Sequence, residues 1–274
     1  MSDPTLAGFE SKGSAIIEEV LKASAPRPSE RDLQPEKNKY AIRFADRMAE
    51  LIARHLGTKL VGIVASTKRA AGSARGKKQL DINFSTPQLG LALGISLKSV
   101  HIREASGSSR YTHNMKRNEE ELRIEATGYH KRQPYAVMVG VLFLPFDSCD
   151  DAKRNNPSSF GSWVRHLRPY AGRSGPRDDD DRFERIYIAL YEPDGSDLRF
   201  FDVEGAPPKS GRPPLDGPAY DVNDEPRRLL SYSEFLDATY HAYLHRNSAE
   251  FRWADGAEEP LGVKEVEPPY GDEA

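Results

Sequence analysis

Leu80-Asp81-Ile82-Asn83-Phe84 and, shortly after it, Leu93-Gly94-Ile95-Ser96-Leu97-Lys98-Ser99-Val100 decide how this chain is read. Strand side chains alternate between faces. Leu80, Ile82 and Phe84 therefore point one way and Asp81 and Asn83 the other. In the second segment Ile95 and Leu97 oppose Ser96 and Lys98. Burying the apolar faces together brings Asp81 and Lys98 to one polar surface. A carboxylate there can hold a divalent cation, and a nearby ammonium can orient water or neutralise developing charge. These are the parts that phosphodiester hydrolysis requires.

The flanking segments frame the pair. A short helix is expected over 13–23. A longer one, from about Pro35 to His55, places Tyr40, Phe44, Met48, Leu51 and His55 on one face. Leu60–Ser66 reads as a buried strand and Thr67–Lys78 as a polar basic loop. After the Lys98 strand comes a Ser/Gly-rich loop, then a helix over 114–132 with Met115, Leu122, Ala126 and Tyr129 turned to the core. Tyr135–Phe146 is the longest apolar run, and Tyr135–Leu144 within it reads as a central strand. The order helix, three strands, helix, strand implies an α/β fold with a mixed central sheet flanked by helices.

Beyond it, Ser158–Tyr170 has a helical apolar stripe. Phe183–Tyr191 and Leu198–Val203 form a hairpin around Asp194-Gly195, and Ser231 with Glu234 opens a helix at capping-box spacing. The division that follows is an N-terminal segment (1–33), a core (34–146), a C-terminal α+β extension for recognition or dimer contacts (147–254) and an acidic tail (255–274).

The strand pair in this setting resembles the core of the PD-(D/E)xK nuclease superfamily, the restriction-endonuclease-like fold, over about Pro35–Pro145. The resemblance implies that Asp81 is the first metal-binding acid and Lys98 the catalytic lysine. The position two residues before the lysine, where the family carries its second acid, holds Ser96. Some enzymes resembling this pattern place that acid on the following helix. Glu125 and Glu121 lie there at one edge of the Leu122/Ala126/Tyr129 face, Glu125 nearer the buried side. Glu50 on the first long helix is a further candidate, as an early-helix acid is in many relatives. The resemblance implies a Mg²⁺-dependent endodeoxyribonuclease, with Mn²⁺ as a substitute, acting in prokaryotic defence as a homodimer on DNA. Asp81, Glu125 and Glu121 would hold the metal, and Lys98 would orient the attacking water.

Basic residues Lys68, Arg69, Arg75, Lys77 and Lys78 precede the Asp81 strand. Arg103, Arg110, His113, Lys116 and Arg117 follow the Lys98 strand. Both groups are expected to grip flanking phosphates, with Arg110, Lys116 and Arg117 the leading candidates of the second. Arg165, His166, Arg168, Arg173 and Arg177 form a third basic group.

Other patterns carry less. Gly72–Lys78 has the wrong glycine spacing for a phosphate-binding loop and precedes a strand. His241 and His245 sit one helical turn apart without the glutamate of a metalloprotease. Asp178–Asp181 reads as a solvated acidic turn, and Cys149 lacks an activating partner.

A single cysteine excludes an internal disulfide framework and a multi-cysteine zinc site. No apolar run approaches a membrane span, the N-terminus lacks a signal-peptide core, and mean hydropathy is −0.67. A cytoplasmic setting is the expectation. Seven acids against one base in 255–274 leave the rest of the chain net positive, although the whole carries −3. Two rival readings follow. One is a catalytically silent module of the same fold that binds DNA or a protein. The other is an interaction protein whose acidic tail docks on a basic partner or mimics nucleic acid.

Overall fold

A computed structural model of the chain describes residues 12–60, 70–73, 76–86, 90–103, 110–207, 210–223 and 225–247. In chain order the elements are α1 (Lys12–Ser24), α2 (Gln34–Lys59), β1 (Ala70–Ser73), β2 (Gly76–Gln79), β3 (Ile82–Thr86), β4 (Gly90–Ser99) and α3 (Met115–His130). They continue with β5 (Val137–Pro145), α4 (Ser159–Leu167), β6 (Arg185–Tyr191), β7 (Leu198–Asp202) and α5 (Tyr232–Arg246). The strand expected at Leu60–Ser66 lies outside the described residues, except for Leu60, which ends α2.

Among the described residues the main sheet runs β3-β4-β5-β6-β7. β4, β5 and β6 are parallel, and β3 and β7 are antiparallel edges. β5 is buried along its whole length. An apolar strand with no polar face needs a partner on each side and a helical layer on each face. β4 and β6 supply the partners.

The parallel strands advance in one direction across the sheet. Crossover connections of one hand then put both intervening helices on one face. Accordingly α3 and α4 pack there, with Leu122, Ala126, Tyr129, Phe160, Trp163 and Val164 against Met138, Leu142, Ile186 and Ile188. Each of the large apolar side chains in that layer contributes roughly 1.5–3 kcal/mol by leaving water. α1, α2 and α5 cover the opposite face, where Ile17, Phe44, Met48, Ile52 and Phe235 meet Ile95, Val139, Val141, Tyr187 and Phe200.

The α/β class and the mixed, helix-flanked sheet are as the sequence implies. The described elements after residue 146, α4, β6, β7 and α5, belong to the same sheet and helical layers as the preceding ones. One expectation is corrected. The stretch read as a basic loop carries the antiparallel pair β1–β2, with Ala70 opposite Gln79 and Ser73 opposite Gly76. That pairing is made by backbone groups and leaves no alternating apolar signature. β1 lies against β3, β4 and α3.

Candidate functional site around Lys98

β4 is buried through Leu97, and its polar side chains Ser96 and Lys98 project toward α3, opposite Ile95 and Leu97. β3 begins only at Ile82. Asp81 sits in a bend just before it, and Leu80 packs into the core on the α3 side, not with Ile82 and Phe84 as strict alternation requires. The bend has a visible cause. Asp81 Oδ2 accepts the Leu97 N–H at 2.7 Å, so the carboxylate stands in for a ladder partner just beyond the end of β3. Gly94, two residues before Ser96, allows close packing: a Cβ there would stand 2.7 Å from Leu80 Cδ1 and 2.8 Å from Met138 Sδ.

α3 delivers the acids. Glu125 is buried against β4, where Ser96 Oγ donates to its Oε2 at 2.5 Å and Lys98 Nζ donates to its Oε1 at 3.3 Å. Glu121, one turn earlier, lies 3.5 Å from Lys98 Nζ through Oε2 and accepts Arg117 Nε at 2.8 Å through Oε1. Ser96 of β4 thus holds an acid brought by the helix.

The charges are unevenly matched. Burial opposes the Lys98 ammonium, but Glu125, Glu121 and Asp81 outweigh it and raise its pKa. Burial pushes the Asp81 carboxyl upward, and the negative charges of Glu125 and Asp46 add to this against the Leu97 N–H and Lys98. Burial also opposes ionisation of Glu121, yet its bond to Arg117 and the proximity of Lys98 bring its pKa below the ordinary value. Acid exceeds base on this surface.

Asp46 of α2 was not singled out in the sequence. Glu50, the acid chosen on that helix, accepts Arg47 Nη1 at 2.7 Å, while Arg47 also pairs with Glu19 of α1. Glu50 therefore belongs to the α1–α2 surface. Which acid of α2 reaches Asp81 depends on how that helix docks, and no local pattern encodes it.

The basic candidates divide. Lys68, Arg69 and Arg75 lie outside the described residues. Lys77 and Lys78 are on β2, which pairs with β1. Lys116 is exposed, 3.9 Å from Glu120. Arg117 is exposed but bound to Glu121. Arg110 is buried and donates to the Pro157 carbonyl at 2.6 Å, which makes it a structural tie between the loop before α3 and the entry to α4. Its guanidinium is thus engaged within the protein.

In the third group Arg173 is buried on Glu184 at 3.0 Å. His166 faces Glu119 at 3.4 Å, and Arg165, Arg168 and Arg177 are exposed. Asp178 accepts backbone N–H groups of Ser174 and Gly175, and Asp181 accepts Arg123. His241 and His245 are exposed on α5. Cys149 is buried, which pushes its thiol up to about 12 and keeps it unreactive.

Among the described residues no three ligand-type side chains converge as a metal cage, and no helix is long and apolar enough to cross a membrane. Comparison with protein-family models, with curated proteins and with solved structures returned no match.

Proposed function

We propose that the chain is a Mg²⁺-dependent phosphodiester hydrolase acting on DNA, with Asp81, Glu125 and Lys98 at its centre. The observation that carries the reading is the placement of Glu125. A helical carboxylate is seated on Ser96 and Lys98, within electrostatic reach of Asp81.

The donor set fits magnesium. It is made of hard carboxylate oxygens, and Mg²⁺ takes one or two carboxylates while keeping several waters, so a three-residue cage is not required. The Asp81 carboxyl, raised by burial and by neighbouring acids, is the group a cation would relieve. Asp81 and Glu125 would hold the ion, with Glu121 behind them. When bound, the metal supplies charge neutralisation at the phosphate and lowers the pKa of water.

The chain's own groups do the rest. Ser96 fixes the orientation of Glu125. The Leu97 N–H fixes Asp81. Lys98, kept charged by its carboxylates, supplies a preorganised ammonium where negative charge develops on the phosphoryl oxygens. Exposed Arg117 tethers Glu121.

Cleavage of double- and single-stranded DNA by the purified protein, with Mg²⁺ or Mn²⁺ and with Asp81→Asn and Lys98→Met as controls, tests the reading. Full activity in either variant overturns it. Binding without cleavage in every metal leaves the silent module, for which Ser96 in the acid position is the motive. A homodimer is the arrangement that cutting both strands would use.

A further inference from the structure

A cleft of about 390 Å³ opens beyond the end of β4. Its walls come from the first turns of α2 (Gln34, Lys37, Asn38, Ala41), from the β4 exit (Ser99 to Arg103) and from the entry to α3 (His113, Asn114). Ser99 and Val100 directly follow Lys98, so the cleft begins about 3–7 Å along the strand from that residue.

Three features of the walls point the same way. Among the described residues no lining residue is an acid, whereas Lys37, Arg103 and His113 are basic types. Two helices begin here, and neither α2 at Leu33 nor α3 at Asn114 has a side-chain cap on its first N–H groups. Their partial positive charge is therefore directed at the cleft. Thirdly, His101 in the wall is only 4 % exposed. Its Nδ1 is engaged with the Tyr191 hydroxyl at 2.8 Å, and its Nε2 has no hydrogen-bond partner in the protein.

The cations differ in availability. Arg103 is held by Asp147 at 2.7 Å and lies over the Tyr111 ring. Lys37 is half-buried, and its Nζ donates to the Glu30 carbonyl at 2.7 Å, with Asp32 the acid that feels its charge and no carboxylate within ion-pair distance among the described residues.

We propose that this cleft is a subsite for a phosphate group, supplied by the polynucleotide backbone next to the bond acted on at Lys98. The polynucleotide source rests on the hydrolase reading; the affinity for phosphate does not. Lys37 supplies the charge, and the uncapped start of α3 supplies backbone donors, with the Gln34 N–H from α2, whose Glu36 and Lys37 N–H groups are taken by the Leu33 carbonyl. This differs from the expectation that Arg110, Lys116 and Arg117 hold the backbone here.

The test uses the full chain in EDTA, so that binding is read without cleavage. Anisotropy of a labelled DNA oligonucleotide is followed over a salt series for wild type, Lys37→Glu, Ala41→Asp and Lys39→Glu. Lys39 is an exposed neighbour paired with Glu36, outside the cleft, and controls for charge alone. Lys37→Glu and Ala41→Asp should each weaken binding about tenfold and flatten the salt slope by about one, while Lys39→Glu changes little. Lys37 is half-buried and its ammonium bonds only an exposed backbone carbonyl, so its variant should fold whatever Ala41→Asp does, which thermal melts of each variant check. If Lys37→Glu binds as Lys39→Glu does, the subsite is refuted.

Competition by inorganic phosphate separates the sources. Displacement of the oligonucleotide at millimolar phosphate shows a site open to free phosphate, and resistance shows one that needs the polymer. The two proposals fail separately. A wild type that never cleaves, yet loses binding through Lys37→Glu, keeps the subsite and removes the hydrolase. A wild type that cleaves, with Lys37→Glu binding normally, does the reverse.

Discussion

The Ser96 hydroxyl donates to Glu125 Oε2 at 2.5 Å, joining the polar face of β4 to the middle of α3. If Glu125 serves in place of an acid at position 96, the two positions should be exchangeable. Glu125→Gln should lower DNA cleavage about a hundredfold or more, since several kcal/mol of charge stabilisation depend on it. Ser96→Asp added to Glu125→Ala should recover part of that loss. Ser96→Asp alone should lower the melting temperature by setting two carboxylates together. Cleavage rates and thermal melts of the four proteins check this, and no recovery in the double variant would disconnect the two positions.

Lys98 and Asp81 should move stability in opposite directions. Lys98→Met leaves Glu125 and Glu121 without their ammonium in a mostly buried setting and should cost about 3 kcal/mol. Asp81 is a carboxyl that folding and burial hold above its ordinary pKa. Its effect on stability is then a penalty that sets in as pH rises past the ordinary carboxylate range. Asp81→Asn keeps an oxygen for the Leu97 N–H and should stabilise the fold by about 0.5–2 kcal/mol at neutral pH, with the gain vanishing in acid. Denaturant melts at two pH values decide both signs.

Divalent metal should stabilise the folded chain in proportion to site occupancy. At a hundredfold excess over Kd the gain is about 2.7 kcal/mol. It should appear as a rise in melting temperature with Mg²⁺ or Mn²⁺ that Asp81→Asn and Glu125→Gln abolish. An equal rise in those variants would place the ion elsewhere.

Asp202 is fully buried at the end of β7, contacting Arg185 at 3.1 Å and the Tyr220 hydroxyl at 3.3 Å. Burial raises its pKa from 3.8 to about 6. The folded state therefore holds the proton more tightly than the unfolded chain. Stability from this group declines as pH climbs through that interval, by about 1–3 kcal/mol. Asp202→Asn should flatten the dependence between pH 4 and 6, leaving Arg185 its bond to Glu204. An unchanged slope would contradict the assignment.

Much of this architecture is legible in the residues. The Ser231/Glu234 capping box opens α5, and Asp194-Gly195 joins β6 to β7 with Gly195 at φ 85°. Alternation in β4 correctly sets Ser96 and Lys98 apart from Ile95 and Leu97. The wheel of α3 puts Glu125 at the edge of its buried face. These are local signals. What stayed hidden is tertiary. Leu80 crosses to the other core because Asp81 spends an oxygen on a backbone N–H. Arg110 is buried where the Pro157 carbonyl of a distant loop receives it. Glu50 turns to Arg47, while the charge that reaches Asp81 is Asp46. β1 and β2 pair through backbone alone, and the one-directional order of β4, β5 and β6 leaves no mark in any single segment.

Because Glu125 rides on α3, the constellation is split between two layers that could separate. An acid on β4 would stay beside Lys98 whatever the helices did. Here, a slip of α3 by one turn would carry Glu125 away from Ser96 while the sheet stayed whole. For the proposed hydrolase, competence would therefore be a readout of how firmly one helix is seated, open to loss without unfolding anything.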